Sequence, residues 1–267
     1  MALPVKTVLA IGETGAGKSF LCNQLVGWSA FAESDDTNSN TDTCTKEIAA
    51  DRSMGVEYHV IDTVGLRDTH KSEAEVHECL SEFARLAPNG IDAVLCVVTL
   101  TGGRLKAYEV ELFGKIECYF GKSVWESAIV VFNNSKKTPE QIWSTDGTPS
   151  VDKLLKKWRE SGTVICTVAP GKEDDTGNLV VESISPQIRK LKHAIVNTSQ
   201  VYESDEFRQV RAELDGKAEQ AAKSFKTHFC REMMLEENAL LLQGQLSLAD
   251  WQRKKADLLQ EDEKAES

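Results

Sequence analysis

The stretch that decides the fold is Val5-Lys6-Thr7-Val8-Leu9-Ala10-Ile11 followed by Gly12-Glu13-Thr14-Gly15-Ala16-Gly17-Lys18-Ser19. Its first half is β-branched and apolar, which predicts a buried strand. Its second half matches the phosphate-binding pattern G-x-x-x-x-G-K-[ST], and Phe20, Leu21, Leu25 and Val26 follow at near-helical spacing. A strand feeding a glycine turn into a helix is the context in which this pattern binds a nucleoside triphosphate. Glycines 12, 15 and 17 let the backbone curl around an anion, so that N–H groups and the positive end of the helix point at the phosphates. Gly12, Glu13, Thr14, Gly15, Ala16, Gly17, Lys18, Ser19 and Phe20 are therefore the candidate nucleotide-binding residues. Lys18 reaches the β and γ phosphates, and Ser19 supplies a hydroxyl to Mg²⁺, a hard ion that prefers oxygen ligands.

Working outward, strands are expected at 56–61, 93–100, 128–132 and 164–168, and helices near 72–86, 106–120, 151–158 and 185–196. The alternation predicts an α/β fold, a three-layer sandwich with a mostly parallel sheet and helices on both faces, and together with the glycine loop it resembles the P-loop NTPases of the Ras-like GTPase type. The segment 32–46, rich in Ser, Thr, Asp and Asn, reads as a long functional loop. From about Glu203 onward the chain has neither strand signal nor proline, which predicts a helical C-terminal extension. The expected division is 1–200 for the nucleotide-binding domain and 201–267 for the extension. Within the latter, Gly244 is the expected helix break and Ser247 with Asp250 a capping box opening another helix. Two roles fit this extension, a solvated helical pair folded back on the domain or a coiled-coil arm that meets a partner.

The net charge of −11 disfavours a nucleic-acid partner, which would demand concentrated Lys and Arg. Seven cysteines stand singly at 22, 44, 79, 96, 118, 166 and 230, the pattern of free thiols in a reducing, cytoplasmic compartment. No apolar run approaches a membrane span, and neither a secretion signal nor a lipidation motif is visible, so membrane association is expected to be indirect.

Two further elements would sense the γ phosphate. Asp62-Thr63-Val64-Gly65 ends a strand: Asp62 can hold Mg²⁺ through water, and the Gly65 N–H can bond the γ phosphate. The polar loop offers Thr41, Thr43 and Thr45 as hydroxyl ligands to the metal. Leu66 occupies the position of the water-orienting glutamine of fast small GTPases, which predicts slow hydrolysis. Arg104, in Gly102-Gly103-Arg104-Leu105, is a candidate to neutralise charge on the transferring phosphoryl group, from the same or a second subunit.

These residues resemble the AIG-type GTPases, the immunity-associated or GIMAP family, which are similar to chloroplast import-receptor GTPases and more distantly to septins. The resemblance covers roughly 5–132. The loop has that family's form Gly-x-Thr-Gly-x-Gly-Lys-Ser. Ser39-Asn40-Thr41-Asp42-Thr43-Cys44 looks like its Ser-x-Thr-x-x-Cys segment and selects Thr41 among the three threonines. Asp62-Thr63-Val64-Gly65-Leu66 is similar to its Asp-Thr-Pro-Gly-Leu, and Gly103-Arg104-Leu105 to its Gly-Arg-Phe box. The resemblance implies GTP and GDP with Mg²⁺ as ligands, slow hydrolysis, and nucleotide-controlled homodimers or larger homo-oligomers, often on membrane surfaces. Lys18, Thr41, Gly65 and Arg104 then carry the catalysis, and Ser19, Thr41 and Asp62 the metal.

The chain departs from the family at the base. In Phe132-Asn133-Asn134-Ser135-Lys136-Lys137, Lys136 stands where an Asp is expected to accept from guanine, and a lysine can only donate. Asn133, Asn134 or the later Asp174 are the candidates to take its place. Two alternatives stay open: a P-loop NTPase of relaxed base choice, and a nucleotide-stabilised scaffold that does not hydrolyse.

Overall fold

The computed structural model describes residues 3–32, 44–63, 73–99, 107–143, 149–173, 179–225, 228–242 and 246–264. By packing, the chain divides into two compact units: 1–71 with 91–202, and 72–90 with 203–267.

The first unit is built on a six-stranded sheet. In chain order its strands are β1 (Val5–Gly12), β2 (Thr45–Asp51), β3 (Val56–Asp62), β4 (Ala93–Thr99), β5 (Ala128–Asn133) and β6 (Val164–Thr167). They lie side by side as β2-β3-β1-β4-β5-β6, all parallel except β2, which runs antiparallel to β3. β4 has the near-continuous apolar sequence of a strand covered on both faces: six of its seven residues are buried. A two-stranded ribbon, β7 (Lys172–Glu173) with β8 (Leu179–Val180), follows β6.

The helices of this unit cover both faces of the sheet. On one, Leu21, Cys22 and Leu25 of α1 (Lys18–Val26) and Ile188, Leu191 and Ile195 of α7 (Ser185–Val196) share a core with Val8, Ala10, Val60, Leu95 and Val131. The other face carries aromatics. Phe113 of α3 (Ala107–Phe120) meets Trp158 of α6 (Pro149–Glu160) edge to face at 4.6 Å, and Trp158 packs at 6.5 Å from Phe132 of β5. Trp125, in the short α4 (Val124–Ser127), completes that cluster, and α5 (Pro139–Trp143) is a single turn.

The second unit is helical. It contains α2 (Glu73–Leu86), α8 (Asp205–Ser224), α9 (His228–Leu242) and α10 (Leu248–Lys264), with α2 on α8, α8 on α9 and α9 on α10. Ser247 opens α10: its Oγ accepts the Asp250 N–H at 3.1 Å and donates to Asp250 Oδ2 at 2.7 Å. Lys254 of α10 bridges Glu237 of α9 at 2.6 Å.

The expected strands and helices are present with ends shifted by a residue or two, which is ordinary fraying. β2 is a correction, because the expected loop 32–46 gives way to strand at Thr45. Thr-Lys-Glu-Ile-Ala-Ala-Asp has almost no apolar alternation and only Ala49 is buried. The strand is held by its seven-residue register against β3, a tertiary effect with no local signal. The ribbon β7–β8 was likewise not expected, and two residues per strand carry no periodicity to read.

Candidate functional site

β1 delivers the glycine loop to the carboxyl ends of the central strands, where ligands bind in open α/β sheets. Gly12 is required by close approach to backbone, and Gly17 by its left-handed conformation. A Cβ on Gly12 would lie 2.3 Å from the Val97 carbonyl oxygen of β4, and one on Gly17, whose φ is +86°, 2.1 Å from Asn133 Nδ2. Asn133 Nδ2 donates to the Ala16 carbonyl at 3.1 Å, and Thr99 Oγ1 to the same oxygen at 3.4 Å. The ends of β4 and β5 thus clamp the loop just before α1 begins, with the positive end of that helix at the loop.

Lys18, 6% exposed, folds across the loop and donates from Nζ to the Glu13 carbonyl at 3.1 Å. Burial lowers its pKa, while the Asp62 charge works in the opposite direction. Ser19 Oγ donates to Asp62 Oδ2 at 2.6 Å. Asp62 is 1% exposed, and its Oδ1 has no hydrogen-bond partner among the described residues. Burial pushes its pKa up, against the Ser19 hydrogen bond and the Lys18 charge. A buried carboxylate with one orphaned oxygen beside a serine hydroxyl is an all-oxygen donor pair that suits a Mg²⁺ ion, which keeps most of its own waters. A cation there would also satisfy the orphaned oxygen, whose burial is otherwise costly.

The structure therefore brings together 12–20, Asp62 and Asn133. Asn134 adjoins them with φ +53°, left-handed and exposed. Thr41, Thr43, Gly65, Leu66, Arg104 and Asp174 lie outside the described residues. Thr45 is in β2, in register with Asp62 and exposed. Lys136 is exposed beyond β5.

Three supporting residues escaped the sequence reading. Thr63 Oγ1 donates to the Ala10 carbonyl at 2.7 Å and fixes the chain just after Asp62 on β1; its place inside Asp-x-x-Gly was the available signal. Thr99 had none beyond ending a strand. Cys22 is fully buried, and burial together with the Asp62 charge pushes its thiol pKa well up, so it acts as packing beneath the site.

Residues 6–161 match the model of the AIG1 family. Immune-associated nucleotide-binding protein 10 of Arabidopsis thaliana is 30% identical over 146 residues, 55% of this chain and 31% of that protein. Number 7 of the same plant series is 26% identical over 275 residues, covering 97% of this chain and 85% of the relative. The chain thus spans about a third of the first relative's length and most of the second's. Among solved structures, a dimerisation-deficient mutant of Toc33 from Arabidopsis thaliana superposes with a TM-score of 0.54 at 20% identity, covering 73% of this chain and 84% of Toc33. Era bound to MgGDPNP and a 16S ribosomal RNA segment gives 0.50 at 18% identity, covering 85% and 69%. Both structures share the fold of the sheet and its helices. Since the matched residues are more than half of the sequence and contain the glycine loop, Asp62 and Asn133, the chain belongs to the AIG1 family.

Proposed function

We propose that this protein is a guanine-nucleotide-binding switch that binds GTP and GDP with Mg²⁺, hydrolyses GTP slowly, and forms nucleotide-controlled homodimers or homo-oligomers. The observation that carries the reading is the Ser19–Asp62 pair beside Lys18, with its orphaned carboxylate oxygen at the mouth of the glycine loop. Ser19 and Asp62 hold the metal, which supplies charge neutralisation on the β and γ phosphates. Lys18 exchanges its hold on the Glu13 carbonyl for phosphate oxygens. Thr41 and Gly65 take the γ-phosphate side, and Arg104 acts in assembly or as a charge donated to the neighbouring site.

The relatives support this reading. Toc33 is described in complex with Mg²⁺ and GMPPNP and with GDP and Mg²⁺, and dimerisation is described as important for the GTPase activity of Toc33 and Toc159. Leu66 in the glutamine position supports slow turnover. We assign nucleotide binding to 1–200 and assembly control to the helices of 201–267. The helix α2, which follows the Asp-x-x-Gly segment in the chain, packs within the same helical unit as α8. Among the described residues no helix is long and apolar enough to cross a membrane.

Equilibrium binding of fluorescent GTP and ATP analogues with Mg²⁺, with Lys18→Ala as the blank, tests the proposal. Preference for GTP supports it. Equal binding favours the second reading, an NTPase of relaxed base choice, for which the exposed Lys136 is the specific observation. Tight binding without phosphate release at any protein concentration would leave a scaffold.

A further inference from the structure

A second cavity, of about 460 Å³, opens in the first unit between the carboxyl end of α1, the β2–β3 turn and α7. Helix α1 separates it from the glycine loop: Lys18 begins the helix, Gly27 caps its far end at φ +92°, and Trp28 follows at the cavity. Nine residues at 1.5 Å each place about 13 Å of helix between the two.

Half of its lining is neutral polar side chains and a glycine; the other half pairs apolar surface with positive charge. Trp28, Met54, Val181 and Ile188 supply the apolar part, and Arg189 and Lys192 the cations; no carboxylate side chain lines it among the described residues. Trp28 and Val181 are 49% and 48% exposed, so two large apolar side chains stand in water at one mouth. An indole left half in solvent at the rim of a concave site is a group with an apolar contact still to make.

This mouth is built rather than floppy. Asn23, buried in α1, accepts the N–H groups of Ala30 and Phe31 at 2.9 and 2.8 Å and donates to the Phe31 carbonyl at 2.9 Å, which fixes the loop bearing Trp28. Lys192 is held by Asp51 at 2.8 Å and lies 5.8 Å over the Tyr58 ring. Arg189, on the exposed side of α7, makes no ion pair among the described residues. In a chain carrying −11 overall, and with Lys192 already paired to Asp51, Arg189 is the cation at this cavity left to select for negative charge.

We propose that this cavity binds a small amphiphilic monoanion, with an acyl or aryl body against Trp28, Met54 and Ile188 and a carboxylate or sulfonate head on Arg189. The volume falls within the range of small-ligand sites, roughly 300–1,000 Å³. The planar fork of Arg189 can grip two oxygens of such a head.

The probe is 1-anilinonaphthalene-8-sulfonate, titrated into the full chain and followed by its fluorescence, with its uncharged analogue N-phenyl-1-naphthylamine alongside. The expected result is one saturable site, weakened about tenfold or more by Arg189→Ser and by Trp28→Ala, with the uncharged analogue weaker by a similar factor. Both side chains are exposed and outside the nucleotide site, so both variants should keep wild-type nucleotide affinity and circular dichroism. Displacement by decanoate assigns an acyl body and by 1-naphthoate an aryl one, and either supports the proposal. Equal binding of the probe to wild type and both variants, displacement by neither soluble anion, or capture by phosphatidylglycerol vesicles with no response to soluble anions, would each overturn it.

Discussion

Ser19 Oγ and Asp62 Oδ2 are 2.6 Å apart, joined across 43 residues of chain by the parallel pairing of β1 with β3. The bond leaves Asp62 Oδ1 buried without a partner, and both facts point to a cation that would take the serine hydroxyl and relieve the second oxygen.

The first prediction concerns that carboxylate. Its folded pKa is raised by burial, so the charged form costs stability at neutral pH, and the cost disappears as pH falls through the raised value. Asp62→Asn should raise the Tm of the metal-free protein while abolishing the Mg²⁺ dependence of nucleotide affinity. Differential scanning calorimetry with and without nucleotide and Mg²⁺ checks both halves. A variant that unfolds earlier and still responds to Mg²⁺ would show that Asp62 is structural. In the wild type, Mg²⁺-dependent affinity should fall with acidification at a higher pH than for an ordinary exposed aspartate, because the proton competes for the same oxygen.

Lys18 is buried, donates to the Glu13 carbonyl and has a lowered pKa. Lys18→Ala should reduce nucleotide affinity by about a hundredfold, as expected for loss of charge-assisted bonds to phosphate. The fold should survive, since an amine held by one carbonyl is not an anchor of the core. Isothermal titration with a non-hydrolysable GTP analogue reads this directly; retention of affinity would remove the loop from the binding site.

Much of this arrangement was legible because its parts are local. Gly12 to Ser19 needs only a strand before it and a helix after it, and β4 announces itself through an unbroken apolar run. Asp62 was readable as a strand end. Thr99 and β2 were not, because their roles depend on partners far away in sequence: Thr99 matters only once β4 lies beside the loop, and β2 exists through its pairing with β3. The association of α2 with the C-terminal helices was equally invisible, since amphipathic periodicity says that a face is buried and not against what.

Asp51 and Lys192 give a pH prediction outside the nucleotide site. Burial alone would raise the Asp51 pKa, but hydrogen bonds from Lys192 and Ser53 hold it down to about 2, below its ordinary 3.8. A folded pKa below the unfolded one stabilises the protein above the unfolded value and is lost as pH falls from about 4 to about 2. With side-chain exposures of only 13% and 18%, the contribution is about 2 kcal/mol. Asp51→Asn should flatten the loss of stability across that window in urea titrations at fixed pH. An unchanged acid limb would mean that the carboxylate is equally stabilised in the unfolded chain.

Gly17 faces Asn133 so closely that a methyl group would lie 2.1 Å from Nδ2. Gly17→Ala should displace the Asn133 side chain from the Ala16 carbonyl and force an unfavourable positive φ, at a cost of about 1–3 kcal/mol. Nucleotide affinity should fall together with Tm. Asn133→Ala separates the causes: it removes the clamp without the backbone strain, so it should lower affinity with a smaller change in Tm.

The last prediction addresses the base. Lys136 is exposed just past β5 and carries donors only. A carboxylate at that position would accept from the guanine edge, and a site that hydrogen-bonds its ligand rejects an analogue lacking those donors far better than a merely apolar one. Lys136→Asp should therefore raise the ratio of GTP to ATP affinity by about tenfold or more, chiefly by tightening GTP. If the wild type already prefers GTP strongly and the substitution changes nothing, another residue reads the base, and Asn134, left-handed and exposed beside the loop, is the next to substitute. If ATP tightens as much as GTP, position 136 acts on charge rather than on the base edge, and the relaxed-specificity reading loses its structural cause.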